Sequence, residues 1–149
     1  MNKFFKAMML VLCLMGANVA FAQSADKILG VYEAVEEGKE SKVRFTKQAD
    51  GTYQGQIFWL KNATNADGTP KYDIKNPDAQ KRKVRADNVI VVYGVRYDAA
   101  KNMWKGGHVY NPTNGKTYTV EISFTDEKTL NVRGKLGPFG KSVFWKKVE

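Results

Sequence analysis

Beyond its first two dozen residues the chain alternates apolar and polar positions with a period of two. That spacing turns successive side chains to opposite faces of a β-strand. The first such segment is 28–36, with Gly30-Val31-Tyr32 at its centre. In 41–48, Val43 and Phe45 alternate with Lys42, Arg44 and Thr46. Asp50-Gly51 reads as a hairpin turn into 52–60, where Tyr53, Gly55, Ile57 and Trp59 share one face. Further strands are predicted over 89–97, 103–110, 116–124, 129–136 and 141–148. Asn114-Gly115 is the strongest two-residue hairpin signal of the chain, and Gly137-Pro138-Phe139-Gly140 reads as another turn. No heptads and no repeat interrupt the series.

Eight sequential strands with one apolar face predict an all-β, eight-stranded, antiparallel up-and-down β-barrel of the lipocalin type. A two-sheet sandwich would use the same alternation. The barrel ranks ahead because closure removes exposed strand edges. At about eight strands the interior is just wide enough for side chains or for one small ligand. All connections read as short except one, the 61–88 segment between strands 3 and 4. Its Asp67-Gly68, Pro70 and Asn76-Pro77-Asp78 are turn chemistry, and Lys81-Arg82-Lys83-Val84-Arg85 is strongly basic. Loops of this length are often functional lids, although a solvated strap would carry the same residues.

The opening residues read as an export signal. Lys3 and Lys6 precede the apolar run from Ala7 to Leu14, and Ala20-Phe21-Ala22 supplies small residues for cleavage before Gln23. The expected organisation is therefore a signal peptide over 1–22 and one barrel domain over 23–149, exported to the periplasm or beyond. No transmembrane span remains after cleavage. The apolar run is too short for a comfortable span of about 20 residues, and Leu12 disfavours a lipid anchor on Cys13. Cleavage removes Cys13, the only cysteine, so no disulfide is available.

Composition then narrows the chemistry. The 149 residues carry a formal charge of +9, with one His and one Cys. These counts exclude a multi-His or multi-Cys metal site and a disulfide framework. No serine sits in a nucleophile elbow, and His108 reads as a surface or rim residue. No catalytic residue, metal or cofactor is expected. Strands patterned as inward carry Tyr32, Phe45, Tyr53, Trp59, Tyr118, Phe124 and Trp145. Such rings either fill the barrel or line a cavity, and a barrel filled at one end and hollow at the other accommodates both.

Several stretches carry a family resemblance: Gly30-x-Tyr32, Gly55-Gln56-Ile57-Phe58-Trp59, Asp73-x-x-Asn76-Pro77-Asp78, Trp104-x-Gly106-Gly107-x-Val109-Tyr110-Asn111-Pro112, Gly115-Lys116-x-Tyr118, Leu130-x-Val132-Arg133-Gly134 and Phe144-Trp145-Lys146. Together they resemble the bacterial domain of unknown function 2147 family. The resemblance implies an exported lipocalin-like or streptavidin-like barrel and implies no activity. Two departures stand out. Lipocalin-type barrels favour Gly-x-Trp on the first strand, where this chain has Tyr32. The family's arginine run after Asn-Pro lacks its Pro and Gly here, at Arg82-Lys83-Val84-Arg85.

The expected function is binding of a small apolar or amphipathic anionic molecule inside the barrel. Tyr53, Trp59, Tyr110 and Tyr118 are expected to form walls, with Arg85 or Arg133 as the headgroup cation. Alternation points Arg133 outward, which favours Arg85. The alternative is an interaction protein that docks on an anionic envelope component through its basic loop and outer surface. A nucleic-acid partner is not expected outside the cytoplasm, and the protein is expected as a monomer.

Overall fold

The computed structural model describes residues 24–149. The expected signal segment 1–22 and the cleavage point at Gln23 lie outside the described residues. A short 3-10 turn, Asp26–Ile28, leads into eight strands: β1 (Gly30–Glu36), β2 (Lys39–Lys47), β3 (Tyr53–Leu60), β4 (Ile90–Asp98), β5 (Met103–Asn111), β6 (Lys116–Phe124), β7 (Thr129–Leu136) and β8 (Phe139–Lys147). Each strand pairs antiparallel with the next, and β1 pairs with β8 to close the barrel. The strands lie where alternation predicts them, with ends shifted by at most two residues.

The turns differ from their predicted types. Asn111 pairs with Lys116, so Asn114-Gly115 ends a four-residue loop, in which Gly115 takes a φ of 72°. The Asp50-Gly51 turn is likewise longer than two residues. Gln48 N–H donates to the Thr52 carbonyl at 2.8 Å and Gly51 N–H to the Gln48 carbonyl at 3.0 Å, around a loop in which Gly51 alone has positive φ, 84°. The two-residue turn with both residues at positive φ is Glu37-Gly38, at 52° and 77°. It matches the I′ geometry that suits the strand twist, with Glu in place of the usual Asn or Asp.

Bulges bend the sheet. The register slips in β3 between Ile57 and Trp59, in β4 around Gly94, and in β5 at Gly106. Gly94 and Gly106 have φ of 74° and 83°, backbone that suits glycine. Gly107 lies where a Cβ would collide with the backbone of Tyr93 and Gly94. Close approach of two bulged strands therefore requires glycine there.

One end of the barrel is sealed by the chain's own entry. Ile28 is fully buried, and three inward side chains donate to the plug around it. Tyr32 Oη donates to the Ile28 carbonyl at 2.9 Å and Trp104 Nε1 to the Ala25 carbonyl at 3.0 Å. Tyr53 Oη donates to the Asp26 carboxylate. Above them Tyr32, Phe45 and Trp145 make successive edge or tilted contacts, and Trp104 packs against Tyr97 and Phe124. Gly55 lies under the Phe45 ring, within 3.1 Å of where a Cβ would sit.

Two expected outcomes follow from this geometry. Gly38 and Gly115 share a positive φ, but a Cβ at Gly38 meets nothing whereas one at Gly115 meets the Lys75 carbonyl. Gly38→Ala should cost about 1 kcal/mol, from left-handed backbone alone. Gly115→Val should cost about 3 kcal/mol, since strain and collision combine. Urea midpoints of the two variants measure the contrast.

The second concerns alkaline pH. Burial pushes the Tyr32 phenol up, and burial together with Asp26 pushes Tyr53 up. A raised folded pKa contributes stability that is complete below the unfolded value of about 10 and is lost as pH rises through the folded value. Stability should therefore hold up to about pH 9.5 and fall beyond it. Tyr32→Phe should lower stability at neutral pH and make the alkaline decline shallower. Denaturant midpoints against pH test both.

Candidate functional site

The inner face changes character along the barrel axis. Near the sealed end and at mid-height the inward residues Tyr32, Val43, Ile57, Val92, Ile122 and Val132 are buried. At the opposite end, inward register brings residues that are half-buried or exposed. Val109 pairs with Val92 and Tyr118, and Gly134 pairs with Val120 and Lys141. Val109, Tyr118, Gly134 and Val143 are half-buried, and Lys141 is exposed. A Cβ at Gly134 would stand in ordinary contact with Val109 Cγ1 and with Tyr118 Cβ and Cγ, at 3.4–3.7 Å. The inner face is thus sealed below and less buried above.

A seam opens at this less buried end. β1 pairs with β8 only over Tyr32–Ala34, while β7 and β8 stay paired to Leu136 and Phe139. The β7–β8 hairpin therefore stands above the β1 side of the rim. Leu136 and Phe139, both exposed, lie on its inward-register face. Glu36 lies at the end of β1, where Trp145 Nε1 donates to its Oε1 at 3.1 Å. An indole from the core thus holds a carboxylate at the seam, with Lys141 on the neighbouring strand. Apolar walls with the acid Glu36 and the inward-register lysines Lys39, Lys116 and Lys141 at the rim suit a molecule that has an apolar body and a polar end.

The six residues expected to form the site do not come together. Tyr118 faces inward at the less buried end, and its Oη accepts from Asn114 Nδ2 at 3.2 Å. Tyr53 faces inward but belongs to the plug at the sealed end. Trp59, expected inward, faces outward. The β3 bulge puts Phe58 and Trp59 on the same side, and Trp59 pairs with the outward Lys42. Tyr110, also expected as a wall, faces outward because the Gly106 bulge reverses the parity of β5. Trp104 points in while His108 and Tyr110 point out, with His108 stacked on the exposed Tyr93. Arg133 is outward and exposed, lying over Gly140. Arg85 is on the loop, bonded to Asp87 through Nε at 3.2 Å and Nη2 at 3.0 Å. Missing from the expected set are Val109, Gly134, Lys141 and Glu36. Alternation along β7 and β8 carried the signal for Gly134 and Lys141. Among the described residues no three His, Cys, Asp or Glu side chains gather where they could hold a metal ion.

The long loop, 61–89, lies along the outer wall and does not cross the mouth. Its 71–73 and 84–86 stretches pair through Asp73 N–H to the Val84 carbonyl and Ala86 N–H to the Lys71 carbonyl, both at 2.9 Å. The buried Asp73 accepts from Tyr110 Oη at 2.7 Å and from Asn76 Nδ2 at 2.9 Å. Lys75 Nζ donates to the Thr113 carbonyl at 2.8 Å, which ties the loop to the β5–β6 turn. This explains why Tyr110 is buried on an outward face. Burial and the Asp73 carboxylate push its phenol up.

The model of the family described as an uncharacterized protein conserved in bacteria, DUF2147, matches residues 30–147, and the chain belongs to that family. Among solved structures the chain is similar to protein HP1028 from Helicobacter pylori, which belongs to the lipocalin family. Identity is 27%, the match covers 82% of this chain and 83% of that one, and the TM-score is 0.63. No curated protein matches the chain.

The loop anchor gives a direct test. Tyr110→Phe leaves one Asp73 oxygen buried without its donor, a loss of about 1–3 kcal/mol. Global stability should fall by that amount, and limited proteolysis should cut within 61–89 earlier than in the parent protein. Unchanged proteolysis would mean that Asp73 does not hold the loop.

Proposed function

We propose that this DUF2147 protein is exported and binds a small amphipathic molecule in the open cup of its barrel. The observation that carries the reading is the gradient along the inner face, from buried rings at the sealed end to half-buried Val109, Tyr118, Gly134 and Val143 at the mouth. A barrel meant only to be filled would bury both ends. Similarity to a lipocalin-family protein supports a ligand-binding role. The apolar body of the ligand lies against Val109, Tyr118 and Val143. Lys141 is an inward-register cation at the rim, with Lys39 and Lys116 on the same register at that end, and it takes the place expected of Arg85 and favours an anionic head. Glu36, already engaged by Trp145, accepts a hydroxyl or amide if the head carries one. The exposed Leu136 and Phe139 give an apolar tail a surface to cross on entry.

Each buried methylene contributes about 0.8 kcal/mol, so each carbon added to a fatty-acid chain should tighten binding about fourfold until the cup is full. Titration of delipidated protein with a chain-length series, read from Trp145 emission in a Trp59→Phe background, should show that rise and its plateau. Gly134→Val places two methyls in the cup on extended backbone and should weaken binding at least tenfold while keeping the fold. Lys141→Gln should reduce the preference for carboxylates over the matching alcohols about fivefold. Binding unchanged in both variants would remove the site from the mouth.

A further inference from the structure

The outer wall of β2 and β3, with the adjoining edge of the long loop, carries a second surface unrelated to the cup. The β3 bulge turns two large rings, Phe58 and Trp59, to the outside in succession. Phe58 is 38% and Trp59 40% exposed, and Ile90 beside them is 40% exposed. A cation covers each ring. Arg44 Cζ lies 4.1 Å from the Phe58 ring centre, and Lys42 Nζ lies 5.3 Å from that of Trp59. Phe58 also forms one wall of an open cleft, whose other side is Lys83, Val84, Arg85, Asp87 and Asn88 of the loop. The acids on this face are Glu33, opposite Lys42 in the β1–β2 register, Glu40, which is paired with Lys61, and Asp87, which is spent on Arg85. Lys42, Arg44 and Lys83 make no ion pair among the described residues.

We propose that this face docks on an anionic lipid bilayer. Trp and Phe side chains ringed by Lys and Arg match the depth profile of a membrane interface, where rings sit at headgroup level and cations reach phosphate. A purely electrostatic partner would not require a bulge that exposes two aromatics. A purely apolar partner would not require cations stacked on them. The net charge, +9 for the full chain and +7 without Lys3 and Lys6 of the expected signal segment, is complementary to phosphoglycerol headgroups. The cleft beside Phe58, with Lys83 at its lip, gives one headgroup a place to settle. The barrel remains folded and water-soluble in this mode and rests on the surface.

Co-sedimentation with vesicles of phosphatidylcholine, with and without phosphatidylglycerol, tests the proposal. The protein should sediment with the phosphatidylglycerol vesicles and not with phosphatidylcholine alone. Binding should fall at least tenfold at about 0.5 M salt, where the screening length is only a few ångströms. Trp59 reports contact, because Trp104 and Trp145 are 1% and 4% exposed. Its emission should shift to the blue on the anionic vesicles, and the shift should vanish in Trp59→Phe. Lys42→Glu combined with Lys83→Glu should weaken binding at least about 25-fold, taking about fivefold for each cation lost. The thermal transition of each variant checks that the fold is kept. The cup variant Gly134→Val should sediment like the parent, which separates this proposal from the ligand reading. Sedimentation equal on neutral and anionic vesicles would overturn it, as would sedimentation kept by the double reversal or without a Trp59 shift. Capture of a soluble acidic polysaccharide with no vesicle binding would give the face to glycans instead.

Discussion

Three polar atoms inside an apolar barrel determine much of the rest. Tyr32, Tyr53 and Trp104 fill the sealed end with rings, yet each brings an O–H or N–H that costs about 1–3 kcal/mol if buried without a partner. No strand can supply the acceptors, because strand carbonyls are used in the ladder. The entry segment supplies them, with the carbonyls of Ala25 and Ile28 and the carboxylate of Asp26. Lipocalin-type barrels favour an indole at the position of Tyr32. Here the phenol does comparable work, because its hydroxyl reaches the Ile28 carbonyl four residues back. Once this end is plugged, aromatic rings can stack on one another without leaving a wet gap, and the core needs no disulfide.

Among the described residues the plug has no counterpart at the other end, and the proposed function rests on that asymmetry. The turns there are short, the long connection packs outside, and the β1–β8 seam stops at Ala34. Trp145 bridges the two regimes. Its ring belongs to the aromatic stack, and its N–H reaches up to Glu36 at the seam. Trp145 thus links the aromatic core to the seam. The long loop does not need to be a lid. Its anchors are Tyr110, the β5–β6 turn and the β3 edge, so its backbone groups are satisfied against the outer wall.

The strands were legible because period-two alternation survives for eight or nine residues at a time and barrel closure uses every strand alike. The site was less legible because alternation fixes which residues share a face only within an unbroken ladder. One extra residue at a bulge exchanges inside and outside for everything beyond it. Trp104, Gly106, His108 and Tyr110 form one face on paper, and the bulge at Gly106 splits them. Trp59 moves outside for the same reason. Gly94 and Gly106 announced irregularity by being glycine in a strand. The β3 bulge at Phe58-Trp59 has no such marker, because its backbone stays out of positive φ and needs no glycine. Turn types failed similarly: Glu37-Gly38 makes the tight turn, while Asn-Gly at 114–115 is drawn into a longer loop that packs on Lys75. Where no bulge intervened, as along β6 to β8, the inward set including Tyr118, Val143 and Trp145 followed alternation directly.

Those same bulges connect the two surfaces. Phe58, Trp59 and the loop lie at the C-terminal end of β3, which is the end of the barrel where the cup opens. A barrel docked through that flank would hold its mouth beside the headgroup layer, not away from it. An amphipathic molecule leaving a bilayer carries its charged head at that depth, and Lys141 stands at the rim to meet it. The raised β7–β8 hairpin, with Leu136 and Phe139 exposed, would shield an apolar tail from water over part of the crossing. Each surface has its own chemistry, a cup of Val and Tyr inside and a cation-covered aromatic pair outside. Their common position at one end of a rigid barrel means that the placement of one constrains the use of the other.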